Sequence, residues 1–194
     1  MDVIELTKKK ELVIIGGPNG SGKTTFGKTY LKVHNMEYLN TDEIAKEIDP
    51  EDMSRAKFSA GKVFFNRLAT YRDREVSLMI ESTMSGVYMT KLIDMFRSDG
   101  YEIVIVYVFL YSPNVCIERI KERVLKGGHH VPDADVTRRY YRSKKNFWTN
   151  FRYLADKWYL VYNSEQNFIE LALGVGEKYQ IKNKEYFYKF TEHF

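Results

Sequence analysis

The stretch from Gly17 to Thr24 constrains this chain most, because it matches the phosphate-binding pattern G-x-x-x-x-G-K-[ST]. An apolar run, Leu12 to Ile15, precedes it and predicts a buried parallel strand. A helix is predicted from about Gly22 to Val33. Glycines let the backbone turn so tightly that successive N–H groups surround phosphate oxygens, and the helix N-terminus adds positive potential. The stretch therefore predicts a nucleotide-binding strand, loop and helix.

The pattern assigns nucleotide contact to nine consecutive residues, namely Gly17, Pro18, Asn19, Gly20, Ser21, Gly22, Lys23, Thr24 and Thr25. Lys23 is expected to reach the β- and γ-phosphates of ATP, which also makes it a catalytic candidate. The hydroxyl of Thr24 is expected to bind Mg²⁺. The pattern predicts nucleotide binding, but it does not say what happens to the phosphate.

Apolar runs and amphipathic stretches alternate from residue 11 to residue 162. This alternation predicts an α/β three-layer P-loop NTPase or kinase fold with a mostly parallel, five-stranded sheet. The five expected strands are Leu12–Ile15, Met36–Leu39, Val76–Ile80, Ile103–Leu110 and Trp158–Tyr162. The 194 residues contain no linker or repeat, so we expect one domain covering residues 1–194.

The helices of this fold are predicted from apolar stripes and cap residues. A core-facing helix is expected from about Asp52 to Tyr71. Thr41 is expected to cap a short helix, and Asp133 is expected to cap another that runs to about Phe151. The tail from Glu177 to Phe194 is expected to form an amphipathic helix that closes the core.

Charge and cysteine content limit the class of protein. The net charge of +4 is a mild basic excess that suits anions, and it does not predict a nucleic-acid partner. The single cysteine, Cys116, suits a reducing compartment. No secretory signal is expected in Met1 to Leu6, and the longest apolar run, Ile103 to Tyr111, is too short to span a bilayer. We therefore expect a cytoplasmic protein without a membrane partner.

Polar residues directly after the predicted strands are candidates for the site, because ligands of parallel sheets bind at the carboxyl ends of the strands. Asp42 lies three residues after the second strand, Glu81 ends the third, and Asn163 follows the fifth. Asp42 fits a group that orients an acceptor hydroxyl and takes its proton, although an acid there also stabilises a helix start. We assign Asp42, Glu81 and the nearby Thr83 to the substrate.

Residues 119–142 are predicted to form a lid over the phosphates. Arg123 precedes the flexible pair Gly127-Gly128, and three arginines, Arg138, Arg139 and Arg142, follow it. Arginines stabilise charge on a transferring phosphoryl group, so Arg123 is a catalytic candidate. Among the later three the choice stays open. We favour Arg139, because it shares a helix face with the apolar inward stripe.

Four motifs in this order resemble the zeta toxin family of P-loop kinases, in its short single-domain branch. They are Gly17 to Thr25, Asn40 to Ala45, Glu81 to Gly86, and the lid from Arg123 to Tyr140. The resemblance implies ATP-dependent phosphorylation of UDP-N-acetylglucosamine on a sugar hydroxyl. It implies that Asp42 is the base, that Glu81 lies near substrate and metal, and that Arg123 binds the γ-phosphate. It also implies a toxin with an antitoxin partner.

Two other hypotheses remain at this stage. One is a P-loop kinase that acts on another nucleotide or small metabolite. The other is a nucleotide-dependent binding protein or a nucleic-acid ATPase. Such a protein would have an aspartate at the end of Ile103 to Leu110, or a concentrated basic stripe, and the sequence has neither.

Overall fold

A computed structural model describes residues 9–164 and 167–192 of the chain. The strands in these ranges are β1 (Glu11–Gly16), β2 (Glu37–Leu39), β3 (Leu78–Ser82), β4 (Glu102–Phe109), β5 (Lys157–Asn163), β6 (Phe168–Val175) and β7 (Lys178–Ile181). The helices are α1 (Lys23–Leu31), α2 (Thr41–Ile48), α3 (Met53–Asp73), α4 (Tyr88–Ser98), α5 (Pro113–Leu125), α6 (Asp133–Asn146), α7 (Arg152–Leu154) and α8 (Lys184–Thr191). A π-helical turn, Phe147–Phe151, joins α6 to α7.

The strands form one sheet in the order β2-β3-β1-β4-β5-β6-β7. The first five are parallel, while β6 pairs antiparallel with β5 and with β7. The expected mostly parallel α/β fold is confirmed, but the expected number of five strands is wrong because the described residues form seven. The two additional strands lie toward one end of the strand order. Only Leu171 and Ala172 of β6 are buried and β7 is largely exposed, so neither is buried along its length as a central strand is.

The C-terminal tail differs from its prediction in the same region. We expected one amphipathic helix from Glu177 to Phe194, whereas Lys178–Ile181 form β7 and the helix α8 begins only at Lys184. Asn183 caps α8 by accepting a hydrogen bond from the Tyr186 N–H at 3.2 Å. The expected closing of the core is confirmed for α8, because Phe187 and Phe190 are buried. Residues 193–194 lie outside the described residues.

Two predicted helix caps are wrong. Asn40, and not Thr41, caps α2, since its side-chain oxygen accepts from the N–H groups of Asp42 and Glu43. Pro132 occupies the N-cap of α6, which makes Asp133 the first helical residue, where its charge suits the helix dipole. In contrast, Ser112 caps α5 in front of a proline, as the cap-then-proline order predicts.

Helices cover the two faces of the sheet unequally. The larger core contains β-strand side chains together with α3, α4, α6 and α8, and the predicted inward stripe of α3 is confirmed by the buried Ala56, Ala60, Phe64 and Leu68. The opposite face carries a smaller cluster around Val13, Ile15 and Val106, against which α1 packs. This arrangement leaves the N-terminus of α1 at the end of β1, where the glycine loop lies.

None of the described helices combines the length and the apolar character that a bilayer crossing requires. The stretch from Met1 to Leu6, from which no secretory signal was expected, lies outside the described residues.

Candidate active site

The glycine loop between β1 and α1 is packed too tightly for side chains at two of its positions. Gly17 has a φ of +141°, and a Cβ atom there would lie 2.2 Å from the carbonyl oxygen of Val108. Gly20 has a φ of +80°, and a Cβ atom would lie 2.5 Å from the carbonyl oxygen of Cys116. Both positions require glycine, because the backbone is left-handed or close to it and because a neighbouring main chain fills the space. The loop is thus fixed between β4 and α5.

The N-terminus of α1 has no side-chain cap. Its cap position is Gly22, whereas the helices α2, α5 and α8 are capped by Asn40, Ser112 and Asn183. The first N–H groups of a helix have no partner within the helix, and the helix dipole makes this end positive. A helix end of this kind, preceded by a glycine loop, fits the phosphates of a nucleotide.

Lys23 is the first residue of α1, and its amine folds back over the loop. It donates hydrogen bonds of 2.9 Å to the carbonyl oxygens of Gly17 and Pro18. Burial lowers the pKa of the Lys23 ammonium group, and the carboxylates of Glu81 and Asp42 oppose this effect by favouring the charged form. The amine therefore lies over the phosphate loop and lines one cleft with both carboxylates, in a position where an anionic ligand would stabilise its charge.

Thr24 and Glu81 bring hydroxyl and carboxylate oxygens together beside Lys23. The parallel register pairs Ile15 of β1 with Glu81 of β3, so the carboxylate lies where the glycine loop begins. The Thr24 hydroxyl donates to one oxygen of Glu81 at 2.9 Å. Magnesium binds hard oxygen ligands and keeps several waters, so this pair fits the ion that the loop sequence implies.

Tyr38 of β2 contacts the same carboxylate, and Asn40, directly after β2, contacts the Tyr38 hydroxyl. The Tyr38 hydroxyl donates to the second oxygen of Glu81, and the Asn40 amide donates to the Tyr38 oxygen at 2.9 Å. Burial, followed by the negative charge of Glu81, raises the pKa of the Tyr38 hydroxyl, which keeps it protonated. Both oxygens of Glu81 thus accept a hydrogen bond from a neutral hydroxyl.

Asp42 is the second residue of α2, and its side chain is exposed. Asn40 fixes its backbone, because the asparagine oxygen accepts from the Asp42 N–H at 2.8 Å. Along the described chain, no hydrogen bond or ion pair engages the Asp42 carboxylate. It borders a cleft of about 270 Å³ that Lys23, Thr24 and Glu81 also line. The structure therefore places the two predicted carboxylates in one cleft with the phosphate loop.

The lid arginines differ in what they contact. Arg123 lines the cleft, and its guanidinium donates to the carbonyl oxygen of His129 at 2.6 Å. Both Arg138 and Arg139 pair with Asp135 on their own helix, and Arg139 also donates to the Asn19 side-chain oxygen of the loop at 3.4 Å. The Arg139 side chain is 33% exposed and the Arg138 side chain is 57% exposed. Arg142 is exposed. Of the three later arginines, Arg139 is the one that contacts the phosphate loop.

Thr83 lies outside the lining of the cleft. Its hydroxyl shares a 2.9 Å hydrogen bond with the hydroxyl of Ser85. The next residue, Met84, is buried with a φ of +52°, a conformation that is uncommon for residues other than glycine. Its sulfur packs where a Cβ atom on Gly16 would be. This turn therefore seats Met84 under the end of β1 and leaves Thr83 to one side of the carboxylates.

Three residues that line the cleft, Arg119, Ile120 and Asn163, received no role in the sequence prediction, although Asn163 was noted there as a strand-end candidate. Asn163 follows β5, and its amide donates to the carbonyl oxygen of Ser21 at 2.8 Å. Arg119 of α5 lines the same cleft, and its guanidinium lies 3.5 Å from the carbonyl oxygen of Asn163. The position of Asn163 after a strand was a usable signal. For Arg119 the signal was its spacing of four residues from Arg123 on one helix.

A larger groove of about 440 Å³ lies on the face of the sheet that carries α1. Aromatic side chains of Phe26, Tyr30 and Phe168 line it together with strand valines. It lacks the glycine loop and the clustered carboxylates of the cleft, so the cleft remains the candidate active site.

The sequence of this chain is similar to one protein family and to individual proteins from two bacteria. Residues 12–143 match the family described as AAA domain. An uncharacterized protein of Haemophilus influenzae is 27% identical over 124 residues, which cover 64% of this chain and 88% of that protein. A guanylate kinase of Clostridium perfringens is 23% identical over 167 residues, with 71% of each chain covered. The region that matches the family, residues 12–143, contains the glycine loop, the carboxylates Asp42 and Glu81, and the lid arginines.

Solved structures agree with the fold. A chain in the AvrRxo1-ORF1:-ORF2 complex with ATP superposes with a TM-score of 0.76 at 14% identity. The superposition covers 95% of this chain but only 64% of that one, so this chain spans less than two thirds of its structural relative. A chain of the PezAT chromosomal toxin-antitoxin system of Streptococcus pneumoniae superposes with a TM-score of 0.62 at 18% identity, with 84% and 72% covered. At these identities the likeness shows a P-loop kinase-like fold.

Proposed function

This chain belongs to the AAA domain family and is a P-loop kinase-like nucleotide-binding domain, and from this premise we propose that it transfers the γ-phosphate of ATP to a hydroxyl group of a small molecule. One observation carries the proposal. Asp42 lines the same cleft as Lys23, Thr24 and Arg123, which combines phosphate-binding groups with a carboxylate suited to an acceptor hydroxyl.

The phosphate side of the reaction uses charge and position. The glycine loop and the N-terminus of α1 hold the β- and γ-phosphates, and Lys23 exchanges its carbonyl partners for phosphate oxygens. When bound by Thr24 near Glu81, Mg²⁺ supplies positive charge to the phosphate oxygens. Arg123 and Arg139 stabilise the charge on the transferring group from the lid.

The acceptor side uses Asp42. A phosphoryl transfer needs the acceptor oxygen in line with the γ-phosphate and a group that takes its proton late in the reaction. The carboxylate of Asp42 is exposed to the cleft, and Asn40 fixes its backbone. We therefore propose that Asp42 orients and deprotonates the acceptor hydroxyl.

As the acceptor we propose a nucleotide sugar, with UDP-N-acetylglucosamine as the first compound to test. The order of the four sequence motifs supports this choice. The fold of this chain also resembles that of a chain from the PezAT toxin-antitoxin system. The same likeness supports an antitoxin protein as partner. The similarity to a guanylate kinase favours a second candidate, a nucleoside monophosphate. An ATP-using enzyme with a single cysteine suits the cytoplasm, which we infer as its location.

The test is ATP turnover with Mg²⁺ in the presence of nucleotide sugars, nucleoside monophosphates, DNA or RNA, each added separately. The proposal expects phosphate to be transferred to one small-molecule class and expects no stimulation by nucleic acid. Lys23→Ala serves as the inactive control. Stimulation by DNA or RNA without a phosphorylated small product would contradict a small-molecule kinase.

The role of Asp42 has its own test, Asp42→Asn. The amide keeps the shape, so the melting temperature and ATP affinity should stay close to those of the original chain. Transfer should fall by about 10² to 10⁴, the usual span for a lost general base. The matched control is Glu43→Gln in the same helical turn, where the carboxylate pairs with Lys28 at 2.9 Å. Equal, small effects of both changes would mean that Asp42 only stabilises the helix start.

A further inference from the structure

Glu81 shares the cleft with a hydroxyl, that of Thr24, and with an ammonium group, that of Lys23. It accepts from the Thr24 hydroxyl at 2.9 Å. Lys23 lines the same cleft, and the negative charge of Glu81 favours its charged form against the effect of burial, which lowers the pKa of the Lys23 ammonium group. A carboxylate that paired with Lys23 would occupy the amine that the phosphates need. The direction in which Glu81 points therefore decides whether the loop can bind its ligand.

Tyr38 fixes that direction. Its hydroxyl donates to the Glu81 oxygen that Thr24 does not use, so the carboxylate is held from both sides. The ring of Tyr38 is partly buried against the small apolar cluster on the α1 side of the sheet. The hydroxyl itself is held by the Asn40 amide at 2.9 Å. A ring with this packing and a hydroxyl with two partners keep one orientation.

Asn40 connects this contact to the acceptor side. Its side chain uses both ends: the amide group donates to Tyr38, and the oxygen caps the helix that begins with Thr41 and Asp42. The residue is only 8% exposed. One side chain therefore sets the position of Tyr38 and the backbone of Asp42 together.

We propose that Tyr38 is a positioning residue, which holds the Glu81 carboxylate beside Thr24 and away from Lys23, and that Asn40 links this arrangement to Asp42. Tyr38 does not contact the reacting groups and acts only through Glu81. The proposal rests on the proposed function, because it assigns Glu81 to the side of the cleft where a divalent cation accompanies the nucleotide.

The test is Tyr38→Phe, which keeps the packed ring and removes the hydroxyl. Loss of a group that orients a ligand of a metal usually weakens metal affinity by about tenfold to a hundredfold. Mn²⁺ affinity is measured by electron paramagnetic resonance in the presence of a non-hydrolysable ATP analogue. Nucleotide affinity without metal is measured by calorimetry in EDTA. We expect about tenfold weaker Mn²⁺ binding and a higher Mg²⁺ requirement for transfer, with the affinity in EDTA weakened no more than about threefold.

Tyr30→Phe is the matched control, because Tyr30 packs against the same apolar cluster from α1 and stacks on His34, away from Glu81. It should leave Mn²⁺ affinity unchanged. Asn40→Asp is the second variant. Aspartate caps a helix as well as asparagine does but cannot donate to Tyr38, so it should weaken Mn²⁺ binding in the same direction. This variant keeps the question decidable if Tyr38→Phe lowers the melting temperature.

Unchanged Mn²⁺ affinity in both Tyr38→Phe and Asn40→Asp would overturn the positioning role, even if the original chain transfers phosphate normally. The proposed function itself would be rejected by a different result, namely that the unsubstituted chain binds neither the ATP analogue nor Mn²⁺ in its presence. The two failures are distinguished by the original chain alone.

Discussion

At the scale of single residues, the lid offers two adjacent arginines with different surroundings. Both pair with Asp135 on the same helix, but Arg139 also reaches Asn19 in the phosphate loop, whereas Arg138 is more exposed. If Arg139 stabilises the charge of the transferring phosphoryl group, Arg139→Ala should lower the maximal rate by about a hundredfold. Arg138→Ala should change it less than about twofold. Steady-state kinetics on both variants compare them directly, and equal losses would contradict a distinct role of Arg139.

Residues joined by fixed spacing or placed directly after a strand were predictable from sequence, whereas individual contacts across the sheet were not. The loop from Gly17 to Thr25 is a local motif, and its lysine and threonine lie in the cleft as this motif requires. Tyr38 reaches Glu81 only because β2 pairs with β3 in a particular register. Arg119 and Asn163 meet only because α5 passes the end of β5. No sequence spacing encodes these contacts, since the sheet order creates them.

At the scale of elements, α6 carries an amine that should make stability depend on pH. Burial lowers the pKa of Lys144 to about 8, although the charge of Glu192 opposes this effect. Its amine donates to the Glu192 carbonyl oxygen at 2.9 Å. An unfolded chain would protonate this lysine up to its ordinary pKa near 10.5. Between about pH 8 and 10.5 the unfolded state therefore binds more protons, and folding stability rises with pH.

Replacing Lys144 by methionine should remove this rise. The free energy of unfolding of the original chain should gain about 1–3 kcal/mol relative to Lys144→Met between pH 8 and 10.5. Urea unfolding of both proteins at several pH values measures the difference between their free energies of unfolding. Groups other than Lys144 titrate alike in both proteins, so their effects cancel in this difference. Lys145→Met is the control, since its side chain is an exposed neighbour on the same helix. Parallel curves for the original chain and Lys144→Met would show that the amine keeps its ordinary pKa.

The elements that sequence analysis missed share a physical reason. The strand β6 is buried only in its middle, at Leu171 and Ala172, and β7 is largely exposed. The edge strand β7 buries none of its side chains and has no apolar run. The apolar stretch of β6, residues 171–175, contains a glycine and is only partly buried, unlike the buried runs that identified β1 and β4. The π-helical turn after α6 also gave no signal. It adds a wide turn between Phe147 and Phe151, both of which are buried, within what reads as one continuous helix.

At the scale of the whole molecule, the sheet order explains why the cleft forms where it does. The strand β1 lies between β3 and β4, so the loop after it is surrounded by the ends of its neighbours. Glu81 arrives from β3, and the main chain at Val108 closes the loop from β4. The active-site candidates come from distant parts of the chain, and they meet because parallel strands present their carboxyl ends at one edge.

The same sheet depends on the C-terminal helix α8 for its far core. Phe190 is fully buried, and its ring lies 5.1 Å from Phe109 and 5.7 Å from Trp148, measured between ring centroids. Phe190→Ala should therefore lower the free energy of unfolding by about 3–5 kcal/mol, because it removes a large buried ring and leaves a cavity. Tyr188→Ala is the matched control on the same helix, since Tyr188 is 58% exposed and should cost less than about 0.5 kcal/mol. Urea unfolding followed by circular dichroism measures both. Similar, small losses in the two variants would mean that α8 covers the core without stabilising it.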